Sequence, residues 1–435
     1  MEIKLNKSWS VLGTGFIVLF FNAGILSAFG LILPDMSKDT GWSRSSLSVT
    51  VTIFMIVSAL TMPIVGRIAD RFDIRLILSV GITIVAFGTG LIWFVQDYWQ
   101  LVILYGVVFA IGHATASIPT ISVMVSRFWP KSPGLANSAA IAGMGLGPFV
   151  IVGILTLLLF IGWRNIYAII GIVNLLIVLP IVILFAKSQP TSIESQTNND
   201  MEHSKTQDPM QGTIPIVDTG DNKGFKLLAT LVKSKHMWLL LIIFGLCGFQ
   251  DFFIATHLVA FAKDNEIGNS LSGFILALMG LMGLPGVILC GYVTDRFGPA
   301  IPTLICFLIR TVIFVIIIYY QNTTTILIFS LFYGSTFLIT APLVAIYAKQ
   351  IFGSKLMGLI GGIIIMVHQL LGGLGAVLGA VIFDNLGSYD LAFIISLAAG
   401  IVAIFISIKL HQVYLLSLSI NNQMSKDSIN LSSSQ

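Results

Sequence analysis

The sequence predicts an all-α membrane protein of twelve transmembrane helices in two pseudo-symmetric six-helix bundles. Three observations predict it. Of 435 residues, 56% are hydrophobic and 10% charged, an imbalance outside soluble-domain proportions. The apolar residues fall in runs of about 20 or more, the length that crosses a bilayer core as helix. The segment GRIADRF, Gly66 to Phe72, recurs as GYVTDRF, Gly291 to Phe297, 225 positions later.

Taken in order, the first run covers 11–33. It is longer than a signal-peptide core and lacks a small-residue cleavage pattern before Asp35, so it is expected to remain as a span. Runs at 46–65, 75–95, 99–126, 135–160 and 165–186 complete an amino-terminal bundle within 1–186. The stretch 187–235 is rich in Ser, Thr, Asn, Gln and charge, and has too little apolar surface to fold alone, so it reads as a cytoplasmic linker. Runs at 237–262, 270–291, 300–320, 324–348, 355–383 and 389–410 give a second bundle within 236–411. The polar residues 412–435 read as a disordered cytoplasmic tail. Gly162 and Gly387 share the offset of 225, and Gly134 and Gly358 are 224 apart, so three landmarks support an internal repeat.

Orientation follows from Lys and Arg, which cytoplasmic loops retain. With the amino terminus inside, Lys4, Lys7, Arg67, Arg71, Arg75, Arg127, Lys131, Arg296, Lys349, Lys355 and Lys409 flank spans on the cytoplasmic side, and only Lys38, Arg44, Arg164 and Lys263 fall outside. This predicts a multi-pass protein of the cell membrane with both termini cytoplasmic, acting as a monomer in the lipid bilayer. The net charge of +4 is distributed by side rather than gathered into a basic patch, which argues against nucleic acid as a partner. Cys247, Cys290 and Cys306 lie in apolar runs without metal-ligand spacing and read as packing residues. No phosphate-cradling GxxxxGK[ST] loop appears, and no nucleophile–base pair or metal cluster points to an enzyme. Neither cofactor nor metal is expected.

The loop carrying Gly66, Asp70 and Arg71, with its copy at Gly291, Asp295 and Arg296, resembles the signature of the major facilitator superfamily. Glycine permits close helix approach, while an aspartate there can sit at a helix N-terminus or pair with a cation. Arg127, and by pseudo-symmetry Lys349, end their helices at the level of those cations. These eight residues are the predicted gate, the alternative being that the charges only set topology. Within the superfamily, GWSRSSLSVT, RFWPKSPGLANSAAIAGMGLGP, THLVAFAKD and FDNLGSYDLAF, in that order, resemble the branch of monocarboxylate transporters and oxalate/formate antiporters. The resemblance implies alternating access for a small-molecule solute, an organic anion, moved with protons or exchanged for a counter-anion. Relatives in that branch usually carry an arginine in the eighth helix, whereas LSGFILALMGLMGLPGVILCGY has no charge.

Ionisable groups at membrane depth are costly and are functional candidates by default. Asp251 and His257 share the seventh span with Gln250, which lies seven residues before His257 and so on nearly the same face. Asp251 or His257 is a candidate proton carrier, Asp251 being alternatively the partner of Arg310 or a residue near the outer interface. His113, in GHATASIP, is either a packed residue bonded to a carbonyl freed by Pro119 or a ligand contact. His368 is a candidate anion contact in the eleventh span, a helix that lines the cavity in the resembled superfamily. Arg310 is the permanent cation of the interior and is expected to pair with an acid or to snorkel. Asn22, Asn137 and Tyr333 offer neutral hydrogen bonds to a solute or stitch helices together. The expected function is secondary active transport of a small carboxylate; the alternatives are export of amphipathic drugs or metabolites, and a non-transporting receptor on the same fold.

Overall fold

The computed structural model describes residues 2–187 and 231–432. Among the described residues, twelve helices are long and apolar enough to cross a membrane: α1 (Lys7–Thr40), α2 (Ser46–Arg71), α3 (Ile74–Phe94), α4 (Tyr98–Phe128), α5 (Pro133–Leu157), α6 (Trp163–Phe185), α7 (Lys235–Asp264), α8 (Leu271–Phe297), α9 (Ala300–Tyr319), α10 (Thr323–Phe352), α11 (Ser354–Leu386) and α12 (Asp390–Gln412). Each overlaps one predicted run. Most of the predicted linker, 188–230, lies outside the described residues. The backbone of α12 continues as helix to Ser432, where composition alone reads an unstructured tail. Helical hydrogen bonds close within the segment and need no apolar partner face.

Local chemistry places the helix starts. The Asp73 side chain accepts from Arg75 N–H at 2.8 Å to cap α3, and Asn322 accepts from Thr325 N–H at 2.9 Å to cap α10. Pro133 opens α5, where its missing N–H is no loss. Gly162 and Gly387, the repeat landmarks, both have positive φ, 86° and 68°.

The core is joined at one end and divided at the other. One apolar cluster runs through both halves at the level of the DRF turns, taking in Met62, Ile121 and Ala140 from the first half and Val287, Leu343 and Ile360 from the second. Toward the opposite face the halves keep separate cores, one around Phe29, Phe54, Tyr105 and Tyr167, the other around Phe253, Phe314, Phe329 and Phe393. A cleft therefore opens away from the DRF turns.

The helices that border it follow from the packing. Across the halves, α2 packs on α11 and α5 on α8. Within the first half α1 touches both α2 and α5, and within the second α7 touches both α11 and α8. The rows α2–α1–α5 and α11–α7–α8 thus face one another, with α1 opposite α7.

Two helices break at matching depths. Helix α4 is interrupted between Thr115 and Ile118, and α10 between Phe337 and Thr340. Each break precedes a proline, Pro119 or Pro342, which cannot donate the helical hydrogen bond.

Within the first half α3 and α4 meet backbone to backbone, since a Cβ on Gly88 would lie 2.7 Å from the Phe109 nitrogen. Gly88→Val is expected to destabilise the protein by about 1–3 kcal/mol through overpacking. A thermal unfolding midpoint in detergent equal to that of the parent would contradict this contact.

Candidate functional site

The interior charges gather in the second half. Arg310 is fully buried on α9, and its guanidinium lies 2.8 Å from Asp251 Oδ1 on α7, confirming the expected acid partner. Tyr333 on α10 donates to the same oxygen at 2.9 Å. The other carboxylate oxygen accepts from Cys247 Sγ at 3.3 Å and lies 3.5 Å from His368 Nε2 on α11. Gln250 Oε1 accepts from Arg310 Nη1 at 3.2 Å, while its amide donates to the Ser396 carbonyl at 2.8 Å. Arg310 also donates from Nε to Thr336 Oγ1 at 3.0 Å and from Nη2 to the Thr336 carbonyl at 3.1 Å. That carbonyl belongs to the last turn before the α10 break.

The physical order of these contacts is clear. The Thr336 carbonyl beside the α10 break accepts from the Ile339 N–H at 3.2 Å within its own turn, and its second lone pair takes Arg310, whose fork keeps further donors. A buried guanidinium in turn needs an anion, which Asp251 supplies. Tyr333 stacks beneath the guanidinium, 4.6 Å from ring centroid to Cζ, a favourable place for a desolvated cation. His368 is the member nearest the cleft: its side chain is 18% exposed, against 5% for Asp251 and 0% for Arg310.

Other predicted residues lie elsewhere. His257, on the same α7, leaves the charge cluster to Asp251 and Gln250. Its Nε2 meets the Ala376 carbonyl at 2.8 Å and its Nδ1 meets the Tyr389 hydroxyl at 3.2 Å. The carbonyl can only accept, so Nε2 donates to it, while Nδ1 shares a hydrogen bond with the Tyr389 hydroxyl. Asn22 on α1 donates to the carbonyls of His113 and Ala116, at 3.0 and 2.9 Å, and so stitches the α4 break. His113 itself packs against the rings of Phe54 and Phe109, and its Nδ1 has no partner among the described residues. Asn137 donates to Ser126 Oγ and to the Pro133 carbonyl, both at 2.8 Å. Tyr333 is committed to Asp251 rather than to open space.

The DRF turns meet across the halves. Asp70 Oδ1 accepts from Gly358 N–H at 2.7 Å and Oδ2 from Leu359 N–H at 2.9 Å, at the start of α11. Asp295 repeats this on α5, accepting from Gly134 N–H at 2.7 Å and Leu135 N–H at 2.9 Å. Each aspartate thus closes on a helix N-terminus of the opposite half, where unpaired N–H groups and the helix dipole favour a carboxylate. The glycines allow the approach: a Cβ on Gly66 would overlap the Gly358 carbonyl, and one on Gly291 would lie 2.7 Å from Leu135 Cα. Arg127 donates to the Ala69 carbonyl beside Asp70 at 3.3 Å. Arg71 is exposed, Arg296 bonds Tyr292 within its own helix at 3.1 Å, and half-buried Lys349 lies in the last turn of α10.

Sequence reasoning missed Cys247 and Thr336. Cys247 was expected to be a packing residue, but it joins the cluster because it sits four residues before Asp251, on one helix face. Sulfur, oxygen and nitrogen donors of Cys247, Asp251 and His368 come within 4.8 Å of one another. Arg310 Nη1 reaches Cys247 Sγ at 3.5 Å while Nη2 holds the carboxylate, so a cation already occupies this anionic pocket and a metal ion fits it poorly.

Removing one partner of a buried ion pair leaves an uncompensated charge worth about 3–5 kcal/mol. Asp251→Asn and Arg310→Met are each expected to lower the yield of monodisperse protein, and the double variant to recover most of it. A double variant worse than both singles would contradict the pairing.

Comparison with known proteins agrees with this fold. The bacterial relative YcxA of Bacillus subtilis (strain 168), an uncharacterized MFS-type transporter, is 24% identical over 89% of this chain and 91% of its own length. Human monocarboxylate transporter 7 is 23% identical over 90% of this chain and 83% of its own. Among solved structures, the transporter FucP in the outward conformation superposes with a TM-score of 0.69 at 15% identity, over 92% of this chain and 98% of its own. The proton:xylose symporter XylE gives 0.75 at 14% identity, over 93% and 96%. The sequence matches the Major Facilitator Superfamily over residues 15–376 and 248–415, and with twelve spans in two halves the chain belongs to that family of membrane transporters.

Proposed function

We propose that this transporter carries a small organic anion together with a proton, using the α7–α9–α11 cluster as the coupling site. The observation that carries this reading is the buried Asp251–Arg310 pair with the partly exposed His368 at its edge. With His368 neutral, Asp251 and Arg310 balance and the cluster has no net charge. A proton on His368 makes it positive by one, beside a cleft of low dielectric where such a charge attracts an anion strongly. Proton and anion then neutralise one another, and the loaded carrier can close around them. The monocarboxylate transporter among the relatives favours a carboxylate as the anion. His257, with both ring nitrogens engaged, serves as a brace.

The halves rock about this site. The cross-half caps at Asp70 and Asp295 hold the DRF side shut, and the Lys/Arg bias makes that side cytoplasmic. The cleft then faces out of the cell, and opening inward requires both caps to break. Lys349 and Arg127 support the closed end.

Proteoliposomes with an imposed pH gradient and a panel of short carboxylates test the reading. His368→Gln is expected to lose pH-driven accumulation by at least about tenfold, the span of one protonation step per pH unit, while keeping exchange of labelled for unlabelled solute. His257→Ala is expected to keep both. Undiminished accumulation in His368→Gln would remove the residue from coupling. For the gate, Asp70→Ala is expected to change turnover more than apparent affinity; a change confined to affinity would count against it.

A further inference from the structure

The reciprocal closure at the DRF end has a counterpart in residues at the other end. Asp70 and Asp295 are 225 apart, and their acceptor sites at Gly134 and Gly358 are 224 apart, so the closed end obeys a two-fold rule: what the first half offers the second, the second returns. Helices α1 and α7 face one another across the open end, and both finish in the same dipeptide, Lys38–Asp39 and Lys263–Asp264, again 225 apart. All four side chains are exposed. Below them α1 exposes Ser27, Gly30 and Pro34, and α7 exposes Ala255, Thr256 and Ala260, short groups that allow two helices to approach.

A two-fold approach of these ends sets Lys38 against Asp264 and Asp39 against Lys263. The two pairs are not equal. Asp39 is already held within its own half by Arg164, with Trp163 Nε1 donating to it at 3.0 Å. The position equivalent to Arg164 is Tyr389, which brings no cation to Asp264. Burial first, and then the negative charges of Asp264 and Asp384, push the Tyr389 hydroxyl above its ordinary pKa, so it stays neutral beside Asp264.

We propose that Lys38 and Asp264 form the ion pair that locks the cleft shut when the DRF end opens, with Asp39 and Lys263 contributing less because Arg164 already occupies Asp39. This holds whatever the cargo.

The test reads closure in native membranes without any substrate. Gly30→Cys with Ala255→Cys serves as reporter pair, joined by a short bis-thiol reagent, while Cys247, Cys290 and Cys306 stay buried. Cross-linking is expected to rise at least threefold when Asp70→Ala weakens the opposite closure. In that background Lys38→Asp or Asp264→Lys alone is expected to lower it roughly three- to fivefold, the scale of an exposed ion pair, and the exchanged pair Lys38→Asp/Asp264→Lys to restore it to within about twofold. Asp39→Lys/Lys263→Asp is expected to change it less than either single reversal. An exchanged pair no better than the singles, or no cross-linking even with Asp70→Ala, overturns the proposal.

Discussion

A polar group inside hydrocarbon must find its partner in the protein, because lipid tails supply none. Much of the interior of this chain follows from that requirement acting on two broken helices. The interruption of α4 frees carbonyls that Asn22 satisfies, and at the interruption of α10 the Thr336 carbonyl, which accepts from the Ile339 N–H in its turn, takes Arg310 as a second donor. An amide completes the first case without charge. The guanidinium in the second brings a charge, the charge brings Asp251, and the carboxylate's remaining lone pairs draw in Tyr333, Cys247 and His368. The candidate site is thus assembled beside one of the breaks.

The same requirement acts at the DRF end. The first N–H groups of α5 and α11 have no partners within their own helices, and in each case the opposite half supplies a carboxylate. Closure therefore satisfies groups that opening must hand back to water. Because the caps are short and the glycines beneath them let backbones touch, the contact is close-fitting and directional, suited to two discrete states rather than a graded hinge. The shared apolar core at this level and the divided cores beyond it give the halves a pivot and an opening.

The architecture was legible in the sequence because spans, turns and repeat are local or periodic signals. Twelve runs, the DRF turns and the glycine landmarks all mark features of the structure. The Asp251–Arg310 pair was one of several readings open for these residues. What sequence could not rank was the choice among partners lying 26 to 289 positions away, as with Arg310 and Thr336 or Asp70 and Leu359. Helical spacing put Gln250 and His257 on nearly one face, yet a neighbouring arginine selected Gln250 and Asp251, and the carbonyl of Ala376 took His257. For Asp70, the loop signature left both a cation and a helix N-terminus open; backbone N–H groups, which leave no trace in side-chain identity, are the partners found. Cys247 looked inert because a thiol in an apolar run carries no pattern until the arginine beside it is known.

The two halves keep the same frame and differ in what they bury. Asn22 in α1 and Cys247 in α7 occupy equivalent positions, 225 apart, and each lies beside the break of its half. One half sets a neutral amide at its break, the other a charge network. On the proposed coupling mechanism this asymmetry has a reason. A carrier with titratable groups on both sides of its cleft takes up charge in two places, and each uncompensated charge adds a desolvation cost to closing. Concentrating the ionisable groups in one half leaves the other a neutral wall. The empty carrier then closes with its buried charges balanced, and the loaded carrier closes with proton and anion cancelling, so both can cross the transition that a singly charged intermediate resists.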